Sequence, residues 1–237
     1  YYAGVGTGNF NETTAKVYTD KMFLTANQDI AKEVNSVFHL FETSYTTPKF
    51  KHLVVAPFQM RNQFIRMINT EMRNAAEGKE AWMILKMNSL VDEKIVKKLY
   101  DAGRAGVKIQ LIIRGICVLI PGQESKTDNI EAISIVGRYL EHSRVLVFAN
   151  GGDPKYFITS ADWMVRNFDH RIEVACPVDD KNLQNELLTI MQIQLHDNTK
   201  ARNFSLENPN QYRKGIEGMR YNSQEEIYKY LKDKIGY

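Results

Sequence analysis

Cationic, hydroxyl-bearing and imidazole side chains recur where apolar runs give way to polar residues. Lys86-Met87-Asn88-Ser89 follows one run and Arg114-Gly115 another, Glu141-His142-Ser143-Arg144 precedes a third, and Ser160-Ala161-Asp162-Trp163 follows the next. Arginine presents planar, paired donors to phosphate oxygens, so such groups gathered at one rim would suit a phosphate-bearing ligand. Ordinary readings stand beside this one. Arg114 can cap a strand and meet an acidic side chain, and a lone Lys86 is more often a solvated strand-end charge. His142 stands apart among five histidines: a cation follows at His-x-Arg, and a Ser-x-Asp lies one strand later. His39 falls off the apolar face of its helix, and His52, His170 and His196 show no partner pattern.

Two further features carry chemistry less specifically. Tyr18 is by default a core aromatic of an extended stretch, and otherwise a stacking face for a base. Gly6-Thr7-Gly8-Asn9 can hold phosphate through backbone N–H groups. The dinucleotide pattern GxGxxG fails at Asn9, and no GxxxxGK[ST] occurs, so a P-loop is excluded. Cys117 and Cys176 lie in no CxxC or Cys/His pattern, which argues against structural zinc and for a reducing, intracellular setting.

The elements that must position these groups are read from periodicity. An extended piece covers Lys16 to Leu24. A helix follows, supported by Ile30, Val34, Val37, Phe38 and Phe41 at helical spacing, with Asn27 as its N-cap and a linker over Thr43 to Lys49. Strands and helices then alternate. Leu53–Pro57, Ala81–Met87 and Val107–Ile113 read as strands; Met60–Glu77 and Asp92–Ala102 read as helices, the second stopped at Gly103. Further strands fall at Arg144–Phe148, Tyr156–Thr159 and Arg171–Cys176, then a helix over Lys181–Leu195. Asn198 to Asn222 reads as polar and irregular, and a last helix covers Gln224–Lys234. The class is α/β or mixed α+β, with a mixed sheet.

The chain has 237 residues, 43% hydrophobic and 25% charged, with 31 Lys+Arg against 28 Asp+Glu. These proportions exclude a disordered tail, a collagen-like repeat and a disulfide-dense mini-protein, and no apolar run is long enough to span a bilayer. A formal charge of +3 says nothing about an anionic partner; only local clustering can. The opening Tyr1-Tyr2-Ala3-Gly4-Val5-Gly6, without initiator Met or signal-peptide pattern, reads as the inside of a longer protein.

Taken together the motifs resemble the large, histidine-phosphorylating bacterial polyphosphate kinases. The residues that carry the resemblance are Gly6-Thr7-Gly8-Asn9-Phe10-Asn11, Val17-Tyr18-Thr19-Asp20 and Lys86-Met87-Asn88-Ser89-Leu90-Val91-Asp92. Ile113-Arg114-Gly115-Ile116-Cys117, Ser134 through His142, Asn150-Gly151-Gly152 and Ser160-Ala161-Asp162-Trp163-Met164 follow in the family's order. The resemblance implies two facing phospholipase D-like domains, each a mixed sheet flanked by helices. Residues 1–49 would be the end of the first and 50–237 the whole second.

It also implies ATP and ADP as substrates, magnesium held mostly by residues outside this chain, and inorganic polyphosphate as acceptor. The missing N-terminal domains would be partners, with a homo-oligomer at full length, no nucleic acid, and a cytoplasmic or membrane-associated location. The family's phosphohistidine lies in a Thr-His-x-Lys stretch upstream of the GTGN turn and is absent here. Tyr18 would pack on adenine, Arg114 would hold phosphate oxygens, and His142 would face the absent nucleophile as the catalytic residue. Lys86, Arg138 and Arg171 would line an anionic channel, and no residue is assigned to a metal. Two positions depart from the family: Gly4 replaces a histidine, and Ala149 an acidic residue expected to tune His142.

Two rivals remain. A phospholipase D-type phosphodiesterase or nuclease uses His-x-Lys, whereas this chain has His142-x-Arg144 with Ala149 where the motif's Asp would fall. A non-catalytic polyanion-binding module would keep the groove without the chemistry.

Overall fold

The structure, a computed structural model, describes residues 1–42, 48–123, 127–207, 210–214 and 219–236. The elements are β1 (Ala3–Gly6), β2 (Tyr18–Thr19), β3 (Met22–Thr25), α1 (Gln28–Glu42), β4 (Val54–Ala56), α2 (Met60–Ala76), β5 (Trp82–Met87), α3 (Glu93–Arg104) and β6 (Lys108–Ile113). After them come β7 (Ile130–Ile135), β8 (Leu140–Glu141), β9 (Val145–Phe148), β10 (Lys155–Thr159), α4 (Val165–Asp169), β11 (Glu173–Pro177), α5 (Lys181–Leu195), β12 (Ala201–Asn203) and α6 (Ser223–Ile235).

An eight-stranded sheet runs β12-β7-β6-β5-β9-β10-β11-β4. β5, β6 and β7 are mutually parallel and the remaining neighbours antiparallel. Side chains alternate across it with period two. On one face Met83, Leu85, Ile109, Leu111, Leu146 and Phe148 meet Phe64 and Ile68 of α2 and Ile95 and Leu99 of α3. On the other, Ile84, Ile112, Val145 and Val147 share a cluster with Leu187, Met191 and Leu195 of α5. Val5 of β1 and Ile30 of α1 enter that second cluster. The expected mixed sheet flanked by helices is what the chain forms.

Two small sheets complete the frame. β1 and β3 pair antiparallel and β2 and β8 pair parallel, Tyr18 against Leu140 and Thr19 against Glu141. The expected extended piece is therefore two strands with different partners.

Asn27 caps α1 as expected, its Oδ1 accepting the N–H groups of Asp29 and Ile30 at 2.9 and 3.3 Å. Phe38 and Phe41 do not point inward; both are mostly exposed. Gly103 does not stop α3, which continues to Arg104. It gives close approach instead: a Cβ there would lie 2.8 Å from Ile130 Cδ1. The turn comes at Gly106, whose φ of +93° is open to glycine at little cost. β7 has no counterpart among the expected strands, and β12 lies within Asn198–Asn222, where an irregular segment is expected. Of the linker, residues 43–47 lie outside the described residues. Among the described residues no helix is long and apolar enough to cross a membrane.

Candidate functional site

Strand direction gathers the polar loops. The C-terminal ends of β5, β6 and β10 and the N-terminal ends of β9 and β11 lie at one end of the sheet, because β9 opposes β5, β10 opposes β9 and β11 opposes β10. Asn88-Ser89, Arg114, His142–Arg144, Ser160–Asp162 and Arg171 therefore share that end. The turn between β1 and β3, with Thr7, Tyr18 and Asp20, comes up against it.

Arg144 and Asp162 tie these loops together. Arg144 Nη2 donates to Asp162 Oδ2 at 3.1 Å, and its Nη1 donates to the carbonyls of Thr7 and His142, both at 2.8 Å. Asp162 Oδ1 accepts the backbone N–H of Asn88 at 2.7 Å and of Ser89 at 3.1 Å. Both side chains are buried. A guanidinium suits the post because its rigid fork serves several acceptors at once.

His142 is held on three sides. Its Nδ1 lies 2.9 Å from Asp20 Oδ1, which also accepts the Thr7 hydroxyl at 2.8 Å. A carboxylate there places the proton on Nδ1 and leaves Nε2 for a substrate. Arg144 Nη1 sits 3.2 and 3.1 Å from the two ring nitrogens. The Tyr18 ring packs at 4.8 Å between centroids and 50°. Burial pushes the Asp20 carboxyl up, but hydrogen bonds from His142 and Thr7 and the charges of His142 and Arg144 outweigh it. Asp20 therefore sits below its ordinary value.

The residues singled out from sequence fall into three groups. Tyr18 and His142 touch. Arg114 reaches them through one residue: its Nε donates to Asn88 Oδ1 at 2.9 Å, and Asn88 Nδ2 donates to the His142 carbonyl at 3.3 Å. Arg171 is exposed and borders a cavity of about 530 Å³ with Thr7, His142, Arg144, Asp162 and Glu173. Arg114 borders a second, of about 650 Å³, with Ser134, Arg202 and Phe204. Arg138 is not beside His142. It stands in a third cavity, of about 780 Å³, its guanidinium 5.4 Å from the Tyr139 ring centre.

Lys86 requires correction. Its side chain is 4% exposed and its Nζ lies 2.6 Å from Glu141 Oε2, itself 3% exposed. An ammonium on the helix-covered face of β5, spent on a buried carboxylate, lends no charge to a channel. Glu141 also accepts from Gln194 at 2.6 Å and Gln224 at 2.7 Å. Burial raises the Glu141 carboxyl, but Lys86 and hydrogen bonds from Gln224 and Thr19 bring it below its ordinary value. Ala149 is corrected too. It follows β9 while His142 precedes that strand, roughly 20 Å away along an extended chain. It cannot have tuned His142.

Sequence reading missed Asp20, Asn88 and Glu141 as partners, although all three lie inside the quoted motifs. It also missed Glu173, which is buried at the 530 Å³ cavity and accepts from the Ser160 hydroxyl and from Asn167 Nδ2. Among the described residues no group of three or more His, Cys, Asp or Glu side chains could hold a metal ion. These residues do not fit magnesium as a ligand set.

Comparison with known proteins gives a concordant result. The family model described as polyphosphate kinase C-terminal domain 2 matches residues 53–224, and polyphosphate kinase C-terminal domain 1 matches residues 1–47. The polyphosphate kinase of Vibrio cholerae is 50% identical over 98% of this chain and 33% of its own length. That of Escherichia coli K12 is 46% identical over 98% of this chain and 34% of its own length. The crystal structure of polyphosphate kinase from Porphyromonas gingivalis superposes with a TM-score of 0.93 at 43% identity, covering 98% of this chain and 36% of that one. The chain spans about a third of the length of the curated relatives it matches.

Proposed function

The chain belongs to the polyphosphate kinase family, and on that premise we propose that it forms the C-terminal catalytic portion of an ATP–polyphosphate phosphotransferase. Residues 1–49 would belong to one phospholipase D-like domain and 50–237 to a second. The nucleophile is a histidine outside this chain. In the first step the bond between the γ-phosphorus and the β,γ-bridging oxygen of ATP breaks, a P–N bond to that histidine forms, and ADP leaves. In the second, the P–N bond breaks and a terminal polyphosphate oxygen takes the phosphoryl group. Both steps run in reverse.

The observation that carries this reading is the Asp20–His142–Tyr18 cluster beside a cavity bordered by arginines. Asp20 holds Nδ1–H and so aims Nε2 at the substrate: as the imidazolium, Nε2–H gives a proton or a hydrogen bond to the transferring phosphoryl group or the leaving oxygen, and in the neutral ring Nε2 accepts one. Tyr18 offers its other face to adenine. Arg114 keeps its Nη donors for phosphate oxygens while Asn88 holds Nε. A phosphodiesterase of the His-x-Lys kind is disfavoured, because Arg144 spends its donors on Thr7, His142 and Asp162 rather than on a substrate. The remaining domains of the protein, a homo-oligomer and a cytoplasmic location complete the proposal.

The test uses the full-length protein that carries this chain. Arg114→Ala removes charge-assisted bonds of roughly 1.5–3 kcal/mol and should raise the KM for ATP about 10- to 100-fold. His142→Ala should lower kcat by about 10²–10⁴ with a smaller change in KM. Unchanged steady-state kinetics for both variants would overturn the assignment.

A further inference from the structure

The largest of the described cavities, about 780 Å³, lies outside the His142 centre. One wall is Val136–Tyr139, the stretch leading into β8. The other is the start of α6 with Lys200 and Arg220. Three of its cations, Arg138, Lys200 and Arg220, make no ion pair among the described residues, and Lys229 is paired with Glu226 at 2.7 Å. Against them stands one lining carboxylate, Glu225. Unpaired cations that outnumber acids in a concave surface raise the local concentration of an anion.

Three observations join this groove to the site. Val136 borders both it and the cavity of Arg114, so the two are neighbours. Only three residues separate Arg138 from His142, at most roughly 13 Å of extended chain. The floor is fixed: Gln224 Nε2 donates to the Tyr139 carbonyl at 2.8 Å and to Glu141 Oε1 at 2.7 Å, while its Oε1 accepts the Tyr139 N–H at 3.1 Å.

We infer that this groove binds the distal part of the polyphosphate chain, phosphate after phosphate, while its end is at His142; the inference rests on the function proposed above. The chain passes Arg114 and the Val136 rim and lies between Arg138 on one wall and Lys200 and Arg220 on the other. A donor nucleotide does not reach the groove, so it governs the affinity for long acceptors and not the transfer step.

The test is the full-length protein against its Lys200→Gln/Arg220→Gln double variant, with Arg220→Glu as a charge reversal. Binding of long-chain polyphosphate is measured as a function of salt, and kinetics are taken with long chains and with tripolyphosphate. Lys200 is half-buried and Arg220 exposed, and cations so placed contribute modestly, so the double variant should weaken long-chain binding and raise its KM about three- to tenfold. The slope of log affinity on log salt should fall by about one per cation lost. Tripolyphosphate kinetics and the KM for ATP should stay unchanged, and Arg220→Glu should weaken long-chain binding more than Arg220→Gln. An unchanged long-chain affinity and salt slope overturns the inference, as does a loss confined to single-stranded RNA. If the unaltered protein transfers no phosphate but binds polyphosphate with this charge dependence, the groove stands and the proposed activity falls.

Discussion

Replacing Lys86 with Met separates a structural cation from a substrate-binding one. The substitution keeps the stem and removes the ammonium. Glu141 is then left with its carboxylate 3% exposed and with only neutral donors, from Gln194, Gln224 and Thr19. Breaking a buried pair from one side costs roughly 3–5 kcal/mol when the remaining charge is uncompensated; the neighbouring Lys21, which interacts with both Glu141 and Lys86, places the expected loss at the lower end of that range. In a chain of this length 1 kcal/mol moves Tm by about 2–4 °C, so Lys86→Met should lower Tm by an amount in the lower part of roughly 6–20 °C. Adding Glu141→Gln removes the stranded charge and should restore most of the loss. Urea denaturation checks both: the midpoint should fall and recover while the slope m stays constant. A loss below about 1 kcal/mol, or a double variant no better than the single, would refute the buried-pair reasoning. So would a Lys86→Met protein of normal stability with a raised KM for polyphosphate, which would return Lys86 to the channel.

Two further outcomes follow from the site and its supports. Asp20→Asn leaves a neutral partner at Nδ1 and removes the charge that fixes the His142 tautomer; in steady-state kinetics of the full-length protein kcat should fall by about 10²–10⁴ with the KM for ATP changed far less. Asp197 is fully buried and accepts the N–H groups of Thr199, Lys200, Ala201 and Ser223, bonds that outweigh burial and hold its carboxyl below the ordinary 3.8. A carboxyl depressed by folding stabilises the chain above its unfolded pKa and loses that contribution as pH falls through the folded value. Asp197→Asn should therefore lower stability at pH 7 and flatten the acid limb below about pH 4, read as denaturation midpoints against pH.

Much of the site was legible because its parts sit at strand ends, which apolar periodicity marks well. His-x-Arg followed by Ser-x-Asp pointed to His142, Arg144 and Asp162, and these converge. What local spacing does not carry is who meets whom across the sheet. Asp20 reaches His142 over 122 residues of sequence, and nothing near Asp20 announces a histidine. Lys86 looked like a free strand-end cation because Glu141 lies 55 residues on. The strand at Ile130–Ile135 escapes a period-two reading because apolar Ala132 and Ile133 stand side by side and break the alternation. Phe38 and Phe41 fit the helical period of α1 and still face outward, for periodicity shows which side chains share a face and not whether anything covers it. Ala149 drew a role from its motif neighbours that the direction of β9 denies it.

The Arg144 joint sets when the centre can exist. Its bond to the Thr7 carbonyl closes a loop of 137 residues, and the salt bridge to Asp162 adds a third point later in the chain. Contacts of such separation cost loop entropy before they return stability, so they form late in folding. During synthesis the Thr7–Asp20 turn leaves the ribosome long before the strands that lock it. A nascent chain is therefore unable to close the Thr7–Arg144–Asp162 joint until Asp162 has emerged, so the loops around His142 gain their shared anchor only late in synthesis.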